Sequence, residues 1–433
     1  MLNGLFVTIA LSSVLLAAVS GQMNTLTDGI LTSAGDAVEL AIGLIGAMAF
    51  FLGLMRVAED GGLMTSLART VSPVMRILFP TVPSNSPAMS AMLLNISANM
   101  LGLVNAATPF GIKAMEELEK LNSRTGTATN AMVMFLAINT SALALLPSGM
   151  IALRVSLESQ NPAAIFFPTW FASASATVIA ITAALLLSRL SPYRVTEPPP
   201  LERKEMNEAS TTNENLISQK ASDSARLRVW LGRGFWLVFF TFAVHDIIAR
   251  AGTESVLQLI QGLISSWSIP AIVSVLVLYG WVRRVSVYES LVEGAKQGFQ
   301  VAIRIIPYLV AILVMVGMFR ASGGLEILVS LIAPVTTLIG MPPEALPMAI
   351  LRPLTGSGAF GVAADAMSTH GPDSLVGYMV STYSGSTETT FYTLAVYFGA
   401  VGVRKTRHTV PACLAADVAG ILAATFIVNL LLG

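Results

Sequence analysis

The chain has 433 residues, of which 54% are hydrophobic and only 12% are charged, and its mean hydropathy is +0.72. Soluble domains carry about 25% charged residues, so this composition excludes an ordinary soluble domain and indicates a protein of the lipid bilayer. Lysine plus arginine equal aspartate plus glutamate at 25 each, which gives no reason to expect nucleic acid binding. The single cysteine, Cys413, excludes an intramolecular disulfide.

Apolar stretches of about 17 to 25 residues, long enough to cross a bilayer as helices, recur along the chain. Their expected bounds are 2–20, 37–56, 130–147, 163–188, 229–249, 268–283, 300–320, 375–402 and 408–432. A cleaved signal peptide is the alternative for the first stretch. No basic residue precedes Leu5, however, and the second half of the chain carries a counterpart at 268–283. We therefore predict an all-α polytopic membrane protein.

The same pattern occurs twice, about 250 residues apart. The matching pairs are Phe110/Phe360, Gly111/Gly361, Ala114/Ala364, Gly149/Gly399 and Arg154/Arg404, with Pro162/Pro411 and Pro73/Pro334 slightly out of register. The basic loops change sides between the copies. Residues 21–36 contain no basic residue, whereas the equivalent stretch of the second copy holds four of them, Arg283, Arg284, Lys296 and Arg304. By the positive-inside rule, the second copy is inverted in the membrane.

This pattern predicts a first repeat at 1–190, a polar linker at 191–228, an extra transmembrane helix with its loop at 229–267, and a second repeat at 268–433. Eight Lys or Arg residues between Arg189 and Arg233 place the linker in the cytoplasm. Each repeat is expected to hold four transmembrane helices and one re-entrant helical hairpin, at about 85–125 and 342–373. With the extra helix, five membrane crossings separate the start of the first copy from the start of the second. Because this number is odd, the second copy begins on the opposite side of the membrane and is inverted.

The first predicted hairpin carries asparagines within an apolar run. Asn95 and Asn99 are four residues apart and share one helix face, while Asn105, Thr108 and Pro109 lie where the helix is expected to break. A break at membrane depth leaves backbone groups that a bound solute or ion can satisfy. The four asparagine and threonine residues are therefore candidate site residues. The alternative is that they only hydrogen-bond to neighbouring helices.

The second predicted hairpin runs from Arg352 to Asp365 and contains the pattern GxGxxG. No strand-helix-strand unit surrounds the pattern, so a dinucleotide-binding fold is rejected. The glycines predict a turn with exposed amides at the start of a half-helix, which favours an anionic or carbonyl group. Close helix packing by small residues is the alternative. The candidate contacts here are Arg352, Thr355, Ser357 and Asp365.

Glu388 is expected about midway along the span at 375–402. A carboxylate at that depth costs several kcal/mol unless it is paired, protonated or facing water. Glu388 is therefore the main candidate to bind a proton, a cation or the solute, and pairing with Arg352 is the structural alternative. The other candidates in this region and in the equivalent region of the first copy are Asn139, Thr140, Ser386, Thr387 and Thr389.

Few other features suggest chemistry. Asp417 lies deep in the last span, and the sequence names no basic partner for it. HExxH and GxSxG motifs are absent and the three histidines are scattered, so we expect no enzyme, no metal site and no resident cofactor. The chain has no Walker motif, so the expected energy source is a gradient of H⁺ or Na⁺.

The run from Asn95 to Ala114 resembles spore maturation protein A, and the run from Arg352 to Arg407 resembles spore maturation protein B. The second run includes Gly371–Asp373 and Ser386–Phe391. The chain thus resembles a fused form of the two proteins, each of which carries a domain termed nucleoside recognition or Gate. In the Gate region this family is similar to concentrative nucleoside transporters and to the membrane part of ferrous iron transporters.

Together, the residues and the resemblance predict a secondary transporter in the bacterial inner membrane that works by alternating access. Nucleosides are the first expected substrate class, and amino acids or small peptides are the second. Two alternatives stay open: a scaffold or regulator of envelope or spore maturation that transports nothing, and a passive channel. The expected partners are a small polar solute and the lipid bilayer, with assembly into a homo-oligomer left open.

Overall fold

The computed structural model describes residues 2–102, 104–141, 143–190, 223–250 and 256–432. Most of the predicted linker at 191–228 lies outside these residues. Within them the chain forms seventeen α-helices and no β-strand, which confirms the prediction of an all-α fold. Each helix satisfies its own backbone hydrogen bonds, and for this reason long apolar stretches fold as helices in a bilayer.

Eight helices come from the first half of the chain. They are α1 (Leu2–Ser20), α2 (Met23–Asp60), α3 (Leu63–Leu78), α4 (Pro87–Met100), α5 (Val104–Lys120), α6 (Asn130–Thr140), α7 (Ser148–Ser156) and α8 (Phe166–Ser188). Two of these helices begin at a side-chain cap. The Ser86 hydroxyl accepts from the N–H of Met89 at the start of α4, and the Thr129 hydroxyl accepts from the N–H of Met132 at the start of α6. Gly62, with φ of +78°, makes the turn from α2 to α3.

Nine helices follow. They are α9 (Asp223–Arg250), α10 (Val256–Val282), α11 (Val287–Ala321), α12 (Gly324–Thr336), α13 (Leu346–Leu351), α14 (Gly356–His370), α15 (Leu375–Ser386), α16 (Thr390–Ala400) and α17 (Thr409–Leu432). Gly323, with φ of +75°, makes the turn from α11 to α12. A left-handed glycine therefore makes the turn at both of these helix junctions, Gly62 and Gly323.

Five of the described helices are long and apolar enough to cross a membrane, namely Met23–Asp60, Pro162–Ser188, Trp230–Arg250, Val287–Ala321 and Thr409–Leu432. A sixth crossing results if the pair Gly324–Ile339 and Pro343–Leu351, which is bent by 101°, counts as one span. The chain is therefore a multi-pass membrane protein.

Two predicted spans are not continuous helices. α6 ends at Thr140, before the end of the predicted span at 130–147, and the predicted span at 375–402 is divided at 387–389 between α15 and α16. Hydropathy detects apolar composition, but it does not detect a helix that is interrupted by contacts from distant residues. Both interruptions fall in regions where the sequence placed candidate site residues.

Long helices of the two halves pack against each other. α2 and α11 run antiparallel, because Gly29 lies beside Ala321 while Ala49 lies beside Gly298. A Cβ atom at Gly298 would lie 2.6 Å from the Cα atom of Ala49, so this close approach requires glycine. α8 and α17 form the second extensive contact between the halves.

The two larger of the three apolar clusters among the described residues each combine residues from both halves. The first lies mainly among α2, α7, α11 and α13 to α15. The second lies mainly among α4 to α6, α8, α16 and α17. The pair α6 and α7 therefore passes from one cluster to the other, as does the pair α15 and α16, and their interruptions fall between the clusters.

Candidate functional site

Two interrupted helices meet between the apolar clusters. In the first half, residues 141–147 separate α6 from α7, and in the second half residues 387–389 separate α15 from α16. The backbone N–H of Glu388 donates to the carbonyl of Thr140 over 2.8 Å. This bond joins the second interruption to the end of α6, and we call the place where they meet the crossing point.

The end of α7 is held against the start of α15 by charge. Arg154 is fully buried, and its guanidinium lies 2.7 Å from the carboxylate of Asp373 and donates to the carbonyl of Pro372. Asp373 also accepts from the hydroxyl of Ser159 and from the N–H of Gln160, each over 2.7 Å. We call this set of bonds the ionic end contact.

The start of α6 is held against the end of α16 mainly by backbone hydrogen bonds. Ala128 N–H donates to the Lys405 carbonyl over 3.0 Å, and Arg404 N–H donates to the Gly126 carbonyl over 2.9 Å. The Arg407 guanidinium adds a bond to the Ala128 carbonyl. We call this the backbone end contact. Because α7 meets α15 at one end and α6 meets α16 at the other, the two interrupted helices run antiparallel.

Amide side chains occupy the first-half side of the crossing point. The Asn95 amide donates to the Ala107 carbonyl over 2.8 Å and to the Tyr397 hydroxyl over 3.1 Å. The Asn99 amide donates to Asn139 Oδ1 over 2.8 Å. Asn95, Asn99, Asn139 and Tyr397 form what we call the amide network, which connects α4 with α6 and α16. The shared helix face of Asn95 and Asn99 directs both residues into it.

Charged side chains occupy the second-half side. Arg352 lies between α13 and α14, is only 7% exposed, and donates to the Thr387 carbonyl and to the Thr389 hydroxyl. Its guanidinium lies 3.7 Å from the carboxylate of Glu388, whose side chain is 36% exposed. Arg352 thus satisfies backbone and side-chain groups of the interrupted segment, and Glu388 is only half-buried.

Asp417 of α17 reaches the same interruption. The hydroxyl of Thr390, the first residue of α16, donates to Asp417 Oδ2 over 2.7 Å. Asp417 is 1% exposed, and its Oδ1 atom is buried with no hydrogen-bond partner in the described part of the chain. We call Arg352, Glu388 and Asp417 the charged cluster. It contains two acids and one base.

The start of α14 lies beside the charged cluster. Thr355 caps this helix by accepting from Gly358 N–H, and Ser357 lies in the same first turn. A Cβ atom at Gly356 would lie 3.0 Å from Thr389 Oγ1, which shows how closely the helix start approaches the interruption. The amides and the positive dipole end of α14 add to the charge of Arg352, and together they favour an anionic or carbonyl group.

Asp365 lies apart from the crossing point, although it belongs to the same predicted hairpin. Its carboxylate pairs with Arg320 of α11 at 2.5 Å. Both residues line a separate cavity of about 530 Å³ that Asp36 and Glu39 of α2 also line. The candidate residues of the second hairpin are therefore divided between the start of α14 and this cavity.

The remaining candidates lie at different distances from the crossing point. Thr140 is buried at the crossing point, where its carbonyl accepts from the N–H of Glu388. Ser386 is buried at the end of α15, where its hydroxyl donates to the Tyr383 carbonyl. Thr108 is half-buried within α5. Asn105 belongs to α5 as well, although its side chain lies outside the described residues. The expected helix break at Asn105 to Pro109 is therefore wrong: α4 ends at Met100, α5 begins at Val104, and Pro109 lies within α5.

Three features of the site were not predicted from the sequence as site residues. Tyr397 shows no signal in the sequence beyond being a tyrosine in an apolar helix. Asp417 stands out as an acid within an apolar span, but its partner Thr390 is 27 residues away in the chain. Arg154 and Asp373 are 219 residues apart, so only the fold brings them together.

Comparison with known proteins gives one matching family and two similar proteins. The family Gate, described as nucleoside recognition, matches residues 41–156 and 302–404. Spore maturation protein B of Bacillus subtilis (strain 168) is 45% identical over 165 residues, which are 38% of this chain and 93% of that protein. Spore maturation protein A of the same organism is 37% identical over 194 residues, which are 45% of this chain and 97% of that protein.

Proposed function

Because this chain belongs to the Gate family, together with the spore maturation proteins A and B, we propose that it is a membrane transporter for a small polar solute. Transport is secondary, works by alternating access and is coupled to H⁺ or Na⁺. The protein lies in the bacterial inner membrane with its linker in the cytoplasm. It performs no enzymatic reaction and needs no resident cofactor.

The crossing point is the observation that carries this proposal. Two helices are interrupted where they meet, and the charged cluster of Arg352, Glu388 and Asp417 lies at the interruption of the second. Interrupted helices near the middle of a membrane are a common way to build a solute or ion site, because unwound backbone groups and helix ends then face a ligand. A scaffold gains nothing from charges at this depth, since each one is costly.

The antiparallel pairing of the halves supports the mechanism. α2 with α11, and α6 and α7 with α15 and α16, are equivalent elements that run in opposite directions. Repeats of inverted topology allow one half to take the conformation of the other, which opens the site to the opposite side of the membrane. The helix pairs α4 with α5 and α13 with α14 are, in this proposal, the two re-entrant hairpins.

Nucleosides are the first substrate class to test, because the matched family is described as nucleoside recognition. Amino acids and small peptides are the second, because the positive start of α14 and Arg352 face an interruption that also carries Glu388. Such an arrangement provides partners for both a carboxylate and an ammonium group.

The test is ligand-dependent thermal stability of the purified protein, followed by uptake into vesicles. A solute that binds the folded state at about 100 times its Kd raises the free energy of unfolding by about 2.7 kcal/mol. We expect one class among nucleosides, amino acids and dipeptides to do so, and we expect Glu388→Gln to abolish the effect. Asp28→Asn, which changes an exposed carboxylate of α2, is the matched control and should preserve it.

The same experiment decides between transport and its alternatives. The names of the two relatives favour a role in spore or envelope maturation, in which the protein acts as a scaffold or regulator. A scaffold predicts no stabilisation by any solute and an unaltered fold in Glu388→Gln. A passive channel predicts flux that an ion gradient does not drive above equilibrium. Uptake against a solute gradient contradicts both alternatives.

A further inference from the structure

Asp417 is the most deeply placed acid of the charged cluster. Only 1% of its surface is exposed, and its one described hydrogen bond comes from Thr390 to Oδ2 over 2.7 Å. Oδ1 is buried without a hydrogen-bond partner among the described residues. Within the same residues no Lys, Arg or His lies within ion-pair distance of this carboxyl group. A buried carboxylate in this state is strongly disfavoured, because neither water nor a cation compensates its charge.

The groups around Asp417 do not supply the missing charge. Its own helix contributes Cys413, and the helices packed against α17 contribute the phenols of Tyr383 from α15 and Tyr397 from α16. The described residues of α6 and α8 include no titratable side chain. Arg352 is the nearest base, and its guanidinium is already bonded to the interrupted segment and lies beside Glu388.

A charge count leads to the same result. Arg352 and Glu388 cancel, which leaves one negative charge at Asp417 if that residue is ionised. One added positive charge makes the cluster neutral. A metal cation such as Na⁺ needs several oxygen atoms to replace its hydration shell. The Thr390 hydroxyl is the only hydrogen-bond partner that the described residues supply to Asp417, whereas a proton on Oδ1 requires no set of oxygen ligands.

We propose that Asp417 is the group that binds and releases the coupling proton, an inference that rests on the proposed transport function. In the conformation described above, the carboxyl group is protonated on Oδ1 and accepts from Thr390 through Oδ2. When the interrupted segment opens, water reaches Asp417, the O–H bond breaks, and the proton passes to water. The carboxylate that forms is then solvated.

The position of Asp417 links this proton to the moving part of the site. Its partner Thr390 begins α16, directly after the interruption. One turn further along α17, a Cβ atom at Gly420 would lie 2.7 Å from Thr387 Cγ2, at the other edge of the same interruption. α17 therefore contacts both edges of the segment at 387–389. A change in the charge of Asp417 acts on this segment directly, and Glu388, which is 36% exposed, lies between the two contacts.

Infrared titration of the full-length protein in lipid bilayers tests the proposal without any ligand. A protonated carboxyl group in an apolar environment gives a C=O stretching band that a carboxylate does not give. We expect this band in the wild-type protein at neutral pH and its loss in Asp417→Asn. Asp365→Asn is the matched control, because it removes an acid that is paired with Arg320, and it should keep the band.

A second variant identifies the band even if Asp417→Asn does not fold. Thr390→Val removes the hydrogen bond to Oδ2, so we expect the band to remain and to move to higher frequency. A wild-type protein without the band, or a band that persists in Asp417→Asn, overturns the proposal. A band that disappears when Na⁺ is added at constant pH also overturns it, because the site then belongs to a metal cation.

Vesicle experiments separate this proposal from the proposed function. The probe is the nucleoside, amino acid or dipeptide that stabilises the wild-type protein. We expect Asp417→Asn to lose at least 10-fold in accumulation driven by a pH gradient, measured relative to the variant's own rate of solute exchange without a gradient, because a neutral amide cannot release a proton (about 1.4 kcal/mol of coupling per 10-fold). If no solute stabilises the protein, the transport proposal fails, while the infrared result still decides the state of Asp417. Accumulation unchanged in Asp417→Asn contradicts the coupling role.

Discussion

The two interrupted helices meet at the crossing point, but the groups at their interruptions are satisfied differently. In the first half the crossing point is lined by the amide network, which is neutral and in which every member makes at least one hydrogen bond to another member. In the second half it is lined by the charged cluster, in which Glu388 is half-buried and one oxygen of Asp417 has no hydrogen-bond partner in the described part of the chain. The difference indicates a division of roles: the first half fixes the geometry, and the second half carries the charge that a solute or ion can change.

The ends of the interrupted helices differ in a similar way. The ionic end contact depends on a buried guanidinium, whereas the backbone end contact depends mostly on peptide groups that any sequence supplies. A side-chain substitution can therefore break the first and can hardly affect the second. Four predictions test these comparisons by the free energy of unfolding in mixed micelles.

The largest effect is expected from Asp373→Asn, at about 3 kcal/mol of lost stability. This change leaves the fully buried Arg154 without its counter-ion, and breaking a buried pair from one side is costly. Lys405→Ala is the matched control at the other end. Lys405 contributes backbone atoms there, so we expect no measurable change. Equal losses in the two variants contradict the distinction between the ends.

A loss of about 2 kcal/mol is expected from Asn95→Leu. The substitution removes the donor to the buried Ala107 carbonyl and to the Tyr397 hydroxyl, and the hydroxyl keeps only its 3.5 Å bond to Asn139 Oδ1. Equilibrium unfolding of the variant measures this loss. A change below about 0.5 kcal/mol means that the amide network does not hold the first hairpin against α16.

Tyr397→Phe should cost about 1 kcal/mol. The ring and its stacking on Phe135, with centroids 6.1 Å apart, are kept, and only the hydroxyl that accepts from Asn95 is lost. Tyr392→Phe on the same helix is the control, because Tyr392 is 59% exposed. Comparable losses for both variants point to the helix as a whole, and not to the network.

The smallest effect is expected for the coupling between Arg352 and Glu388. A double-mutant cycle with Arg352→Gln and Glu388→Gln should give less than about 1 kcal/mol, because the pair is 3.7 Å apart and Glu388 is partly solvated. The same cycle on Arg154 and Asp373 should give a clearly larger value. A strong coupling at Glu388 contradicts the view that this carboxylate is free to engage a solute.

Composition and periodicity were enough to predict an all-α membrane protein, and the shared face of Asn95 and Asn99 led to the amide network. The interruption at 387–389 was not predictable, because no proline or glycine lies in it. It exists because Arg352 and Thr140 bond to its backbone from distant parts of the chain. The same reason applies to the partners of Asp417 and Arg154, since a sequence read locally contains no information on contacts across 27 or 219 residues.

The pairing of α2 with α11 and of α8 with α17 has a consequence for how the protein is built. Each apolar cluster needs helices from both halves, so neither half completes a cluster alone. The packed surfaces hold the two halves together, so the association of the halves does not depend on the peptide bonds of the linker. A single polypeptide fixes the stoichiometry at one to one and raises the effective concentration of each half near the other. A chain cut between Leu190 and Asp223 should accordingly purify as a two-part complex.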